Sequence, residues 1–355
     1  MNATISIPDI GFPELARRIR EFGAGASMPA AARRRVEIMA GLTFDDGSSS
    51  RLLMDYEPHH PQLRTLYENA QQSQWSAVND VDWTQQVEFG RPLPDDSAFA
   101  MAGFENSPLA ARGRGMWDVF RWEVQSWLVS QFLHGEQGAL IVAGRLVELV
   151  PDLDTKLCLA TQVVDEARHV DVFARYLREH VPEAYPLSGP LESLLGDILD
   201  DSRWDITALG MQIMVEALAL ASFRLADRTF HDGLIRQIAR LVARDEARHV
   251  SVGVLSLEQL YRELTTAELA DREELVLDAA ESTRRRFLLT DIWERLDVVA
   301  AEGIAYAEHD EVMVLYRKAI FSKVIVALGR VGLLTDRVRE GLDKLGLSGF
   351  AQVRA

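Results

Sequence analysis

The chain has 355 residues, 48% of them hydrophobic, and a formal net charge of −16. That is ample material for a sizeable core and the wrong sign for a protein that tracks nucleic-acid phosphates or anionic lipid. A single cysteine, Cys158, excludes an internal disulfide, and the N-terminal stretch lacks the basic segment and apolar run of a secretory leader; the expectation is a cytoplasmic protein without a membrane span.

In chain order, residues 1–110 read as an extension of short helical pieces, FPELARRIREF and HPQLRTLYENAQQSQW. Turn-rich stretches such as GAGASMP, TFDDGSSS, EPHHPQ and FGRPLPDDS punctuate them, and no alternating β pattern is evident. From residue 111 to 355 the apolar spacing becomes three and four, predicting long helices over 113–149, 153–181, 204–229, 233–263, 267–308 and 310–328, with a short helix near 191–200 after the loop VPEAYPLSGP. The expectation is an all-helical single domain, a bundle with the N-terminal extension packed on it. Trp127 and Trp293 read as core, His134 as structural, His59–His60 as a loop, and STRRRF (282–287) as a solvated face.

Two helices contain the same pentapeptide, DEARH, at Asp165–His169 and Asp245–His249, eighty residues apart. A glutamate precedes each motif glutamate by thirty residues: Glu136 before Glu166, and Glu216 before Glu246. Turn signals lie halfway between, at Pro151–Asp152 and in the FHDG stretch around His231. Each unit is therefore a helical hairpin whose two glutamates sit about 22 Å from the turn, at one height. Within the motif, Glu and His are three apart and share a helix face. Two such hairpins packed together converge four glutamates and two histidines on one layer. Four buried carboxylates are very costly unless neutralised, and two divalent cations do that. Carboxylate plus imidazole without thiolate suits iron or manganese.

This ligand set resembles that of the ferritin-like di-iron carboxylate superfamily, and the DE-x-RH form is most similar to its monooxygenase hydroxylases. The resemblance covers roughly residues 110–260, with fainter likeness to reductase-like and N-oxygenase-like members in 66–83 and 326–334. It implies a ferritin-like four-helix bundle with additional N- and C-terminal helices. It implies that Glu136, Glu166 and His169 hold one metal and Glu216, Glu246 and His249 the other, with Glu166 and Glu246 bridging. Asp245 is expected to hold His169, and Asp165 to hold His249, balanced by Arg168 and Arg248. Residues one turn from the ligands, Phe132, Gln162, Phe173, Gln212, Leu220 and Val242, are the expected substrate pocket. Phe173 stands where the reductase subunit has its radical tyrosine, with Tyr176 three residues on; Val242 stands where p-aminobenzoate N-oxygenases carry an extra histidine ligand.

The implied activity is that of a non-heme di-iron oxygenase or oxidase using O2, with two iron ions or manganese in one site. N-oxygenation of an amine or hydrazine, or C–H hydroxylation, in biosynthetic tailoring is the leading form. A reductase-small-subunit-like or metal-handling role is the alternative. The implied partners are a small-molecule substrate and an external electron donor such as a reductase or ferredoxin. A homodimer is compatible with the superfamily.

Overall fold

The computed structural model describes residues 42–43, 51–53, 56–95 and 100–349. The helix read at FPELARRIREF and the turn at GAGASMP lie outside the described residues. The chain divides into two units, Met1–Tyr56 and Glu57–Ala355. In the first, Leu42–Thr43 (β1) and Arg51–Leu52 (β2) pair antiparallel with Leu42 opposite Leu52, strands too short to show alternation in the sequence.

The second unit is helical among its described residues. Helix α1 (Pro61–Gln72) starts on a proline at its first position, where the missing N–H costs nothing. Helices α2 (Arg114–Leu149) and α3 (Leu153–His180) form the first long hairpin. Helix α4 (Gly189–Asp200) follows. Helices α5 (Trp204–Thr229) and α6 (Gly233–Tyr261) form the second hairpin. The C-terminal set is α7 (Thr266–Arg286), α8 (Thr290–Arg295), α9 (Ala300–His309), α10 (Glu311–Val331) and α11 (Asp336–Lys344).

Both hairpin turns fall where the sequence puts them. Asp152 accepts from the Thr155 N–H at 2.8 Å and Asp232 from the Ile235 N–H at 2.9 Å; such N-caps contribute about 1 kcal/mol each. The second oxygen of Asp232 accepts from Tyr176 Oη and Gln125 Nε2, both at 2.7 Å. That ties the turn of one hairpin to the body of the other. The His59 and His60 N–H groups both donate to Asp154 Oδ2 at 2.8 Å, which fixes the entry into α1 against the start of α3.

The helices α2, α3, α5 and α6 pack as four rods, with α1 across α3 and α6 and α10 against α5. Helix α5 is long and apolar enough to cross a membrane by composition alone, but 89% of its most apolar window is buried inside the bundle, as in a core helix. A departure from the sequence reading lies at 267–308, expected as one helix and observed as three. Leu289 (φ 58°) and Asp297 (φ 50°) adopt left-handed backbone, which ends α7 and α8. The apolar spacing continues across both breaks without glycine or proline, so periodicity does not reveal them. Helix α11, beyond the last sequence-read segment, begins on the Thr335 side-chain cap.

Within α5, Leu209–Val215 winds as a π-helix and Glu216 is the first residue after it. A π turn inside an α-helix marks a place where regular packing is given up, often at a functional site. Gly253 of α6 lies opposite: a Cβ there would stand 2.6 Å from Gln212 Cβ, so glycine is what permits this close approach.

Candidate metal centre

Glu136 (α2), Glu166 and His169 (α3), Glu216 (α5), and Glu246 and His249 (α6) are all buried and meet at one level of the four rods. Ligand-type atoms of Glu136, Glu166, His169 and Glu246 all lie within 4.8 Å of one another, as do those of Glu166, Glu216 and His249. Glu166 belongs to both groups: its Oε2 is 3.2 Å from His169 Nδ1 and its Oε1 is 3.1 Å from His249 Nδ1. Glu246 Oε1 is likewise central, 3.4 Å from His169 Nδ1 and 3.5 Å from His249 Nδ1. Glu136 sits on the outer flank, with its Oε2 2.9 Å from His169 Nδ1.

Each imidazole is oriented from behind. His169 Nε2 is 3.1 Å from Asp245 Oδ2, and His249 Nε2 is 3.2 Å from Asp165 Oδ2. An ionised carboxylate can only accept, so Nε2 carries a proton in each ring, which leaves Nδ1 facing the centre as the nitrogen that would ligate once it gives up its own proton. The aspartates are ionised in turn by two arginines. Arg168 Nη2 reaches Asp165 at 2.5 Å and Asp245 at 3.1 Å; Arg248 Nη2 reaches Asp245 at 2.6 Å and Asp165 at 3.0 Å. Burial works to raise the Asp245 pKa, but the His169 hydrogen bond and charge and the Arg248 charge outweigh it and hold the carboxyl well below its usual range. Asp165 is lowered against burial by His249 in the same way.

Sequence reasoning missed two residues of this outer layer. Trp75 Nε1 donates to Asp245 Oδ2 at 2.6 Å, and Gln74 Nε2 donates to Asp165 Oδ1 at 3.0 Å. Arg168 lies over the Trp75 ring, 4.6 Å from its centroid. Trp75 stands 170 residues from the aspartate it holds, and no local spacing announces such a pairing.

Without cations the cluster is in electrostatic conflict. Burial, and then the neighbouring carboxylates, raise Glu136 well above the ordinary glutamate range. Burial also raises Glu216 and Glu246. Glu166 is pulled well below that range, because the two histidines overcome its desolvation. The histidines are raised, desolvation being outweighed by the carboxylates around them. Glu216 Oε2, Glu246 Oε1 and His249 Nδ1 are sealed from water without an aligned hydrogen-bond partner. Buried polar atoms left without a partner are costly. Two divalent cations would satisfy all three and cancel the four carboxylate charges, so the donor set fits a di-metal centre.

The sequence-expected pocket residues are placed as follows. Gln162 Nε2 donates to Glu216 Oε1 at 2.6 Å and to Glu166 Oε1 at 3.2 Å, and its own carbonyl accepts from Gln212 Nε2 at 3.1 Å. Phe132 and Phe173 pack with Phe223, ring centroids 4.5 to 5.8 Å apart. Leu220 and Val242 are buried core. A narrow cavity of about 30 Å³ adjoins the centre, bounded by Glu136, Glu216 and Glu246 at one side and including Phe132 alone of the six. Tyr176 is buried and hydrogen-bonded to Asp232. His134 Nε2 bonds the Tyr185 carbonyl at 3.0 Å, as a structural histidine does, and Trp127 and Trp293 are fully buried.

No family model and no curated protein matches this sequence. Solved structures do. A variant of an R2-like ligand-binding oxidase with an anaerobically reconstituted Mn/Fe cofactor aligns at 15% identity and TM-score 0.50 over 78% of this chain and 95% of that one. Another variant of such an oxidase, with a non-activated Mn/Mn cofactor, aligns at 15% identity and TM-score 0.50 over 78% of this chain and 94% of that one. At this identity the likeness is one of fold: the chain has the ferritin-like helical architecture of those oxidases.

Proposed function

We propose that the protein is a non-heme di-metal oxidoreductase, with two iron ions or a manganese–iron pair, that uses O2 on a small organic substrate. The observation that carries this reading is the double donor group sharing Glu166, with three buried ligand atoms left unbonded in its interior. Bound there, a redox-active metal pair supplies the electrons that activate O2. The chain's own part is to hold the ligands: Glu136, Glu166 and His169 for one ion, Glu216, Glu246 and His249 for the other, Glu166 and Glu246 shared. The Asp165–Arg168–Asp245–Arg248 layer fixes the imidazoles in the ligating tautomer, and the apolar wall of Phe132, Phe173 and Phe223 keeps bulk water away.

N-oxygenation of an amine or hydrazine, or C–H hydroxylation, in a biosynthetic and cytoplasmic setting is the finer form of the proposal. An external electron donor completes the balance: each turnover that places one oxygen atom in product and one in water consumes two further electrons. Anaerobic Fe(II) titration should show two equivalents per chain. O2 uptake by the loaded protein should then accelerate with a substrate amine and yield a product heavier by one oxygen. A chain that binds two irons but consumes O2 only to deposit ferric mineral, indifferent to organic additives, would overturn the reading.

A further inference from the structure

The run STRRRF, read from sequence as a solvated face, does not behave as one. Arg284 pairs with Glu308 and Arg285 is exposed, but Arg286, the last residue of α7, turns inward and lines the cavity beside the metal centre. Its Nε is sealed from water and bonded to nothing, and burial and Tyr316, with no carboxylate among them, are what act on its charge. Its surroundings are aromatic: the Trp127 and Phe287 ring centroids are 5.8 and 5.7 Å from its Cζ. Desolvation pushes it down to about 10, which still leaves it charged at neutral pH. Tyr316 beside it is pushed up to about 12 by burial and stays neutral, so it is no counter-ion. Gln131, the polar neighbour in the cavity wall, is already occupied by the Pro186 carbonyl and the Ser188 N–H.

The charge count of the region isolates this arginine. The four glutamates balance two divalent cations, and Asp165 and Asp245 balance Arg168 and Arg248. Arg286 remains as one half-buried cation without a carboxylate partner, its Nε sealed from water, on the wall of the space in which a substrate would sit. Even a half-buried charge without a partner costs desolvation, and an apolar residue of similar size would serve at least as well in a protein that had no use for the charge.

We propose that Arg286 is the orienting residue of the substrate site, pairing with a single negative charge on the substrate, a carboxylate, at the cavity wall formed by α7 so that the opposite end of the molecule faces Glu136, Glu216 and Glu246. The guanidinium fork matches a carboxylate with two parallel hydrogen bonds. A phosphate dianion would leave one charge over in a cavity whose remaining walls are the three glutamates and apolar side chains such as Phe132, Leu191, Leu218 and Phe287. The inference rests on the di-metal reading above, because the count closes only with both cations present.

The test uses the full chain loaded with Zn(II), a redox-inert stand-in, titrated calorimetrically with propionate and with the isosteric neutral propionamide. Propionate should bind at least tenfold more tightly than the amide. Arg286→Met should erase that preference while melting no lower than wild type in the absence of ligand, and Arg286→Lys should keep part of it. Propionate binding undiminished in Arg286→Met would show that the carboxylate goes to the metals and would overturn the assignment. A fall in melting temperature of the methionine variant by many degrees would make Arg286 a structural cation, also against it. Zinc stoichiometry in the same samples separates the two readings: a chain that takes up no zinc sinks the di-metal centre, whereas two zinc ions with no preference for propionate sink only the role of Arg286.

Discussion

The two hairpins carry the same candidate ligands at the same spacing, yet their surroundings differ in character. In the first, α2 and α3 are regular and the position one turn before Glu136 is Phe132, packed at a tilt against Phe173 and Phe223. In the second, the equivalent of Phe132 is Gln212, on a π turn, and the equivalent of Phe173 is Gly253, against which Gln212 packs. Gln162, one turn before the first motif, bonds Glu216 across the bundle; its counterpart before the second motif is Val242. So one flank of the centre is an apolar aromatic wall and the other a chain of amides leading to a carboxylate. The repeat keeps the six candidate ligands, and the two halves differ in what surrounds them.

The most severe break of this comparison removes a shared ligand. Glu166→Ala should drop bound metal from two equivalents to one or none, measured by elemental analysis, whereas Glu136→Ala and Glu216→Ala should each weaken one site more than the other. Equal retention of two metals in all three variants would contradict the shared placement of Glu166.

The next effect is pH. Glu136, Glu216, Glu246 and both histidines hold their protons to higher pH in the folded metal-free protein than in the unfolded chain. The stability they contribute is therefore present at low pH and lost as pH rises through their folded pKa values. Metal must displace those protons, so affinity rises by about tenfold per pH unit for each proton released. Raising pH from 6 to 8 should lower the melting temperature of the metal-free protein through these groups and widen its gap to the metal-loaded form; a constant gap would refute the assignment.

Smaller again are the residues behind the histidines. Asp245→Asn and Asp165→Asn should each weaken metal binding by about 10- to 100-fold. The first should cost more, because Asp245 also holds Trp75 at 2.6 Å whereas Asp165 holds Gln74 at 3.0 Å. Equal losses would mean that the Trp75 bond contributes nothing.

The mildest test exchanges the flanks. Val242→Gln forces an amide into a fully buried apolar position and should cost about 1–3 kcal/mol in urea unfolding. Gln162→Val should cost a similar amount by stripping Glu216 Oε1 of its donor. A neutral outcome for both would show the two flanks to be interchangeable.

How much of this was legible in the sequence follows from which interactions are local. The Glu-to-motif spacing of thirty residues and the turn signals at Pro151–Asp152 and Asp232 report helix pitch and capping, both written in neighbouring residues. The aspartate–arginine layer follows because it lies inside the pentapeptide. Trp75 and Gln74 do not follow, since their partners are on other helices. Arg286 is hidden for another reason. Its neighbours in sequence are solvated or paired arginines, and its place three residues after buried Thr283 puts it on the inner side of α7 where an arginine run hides it. The π segment leaves no mark because its residues, LGMQIMV, are as apolar as the helix around them.

That segment bears on how such a centre can change over evolutionary time. A π turn amounts to one residue inserted into a regular helix, and each residue of an α-helix advances the azimuth by about 100°. Losing a single codon between Leu209 and Val215 would therefore leave Glu216 on its rod while swinging everything before it, Gln212 included, to a new bearing. A one-residue deletion could recast one wall of the chamber and leave all six ligands in register.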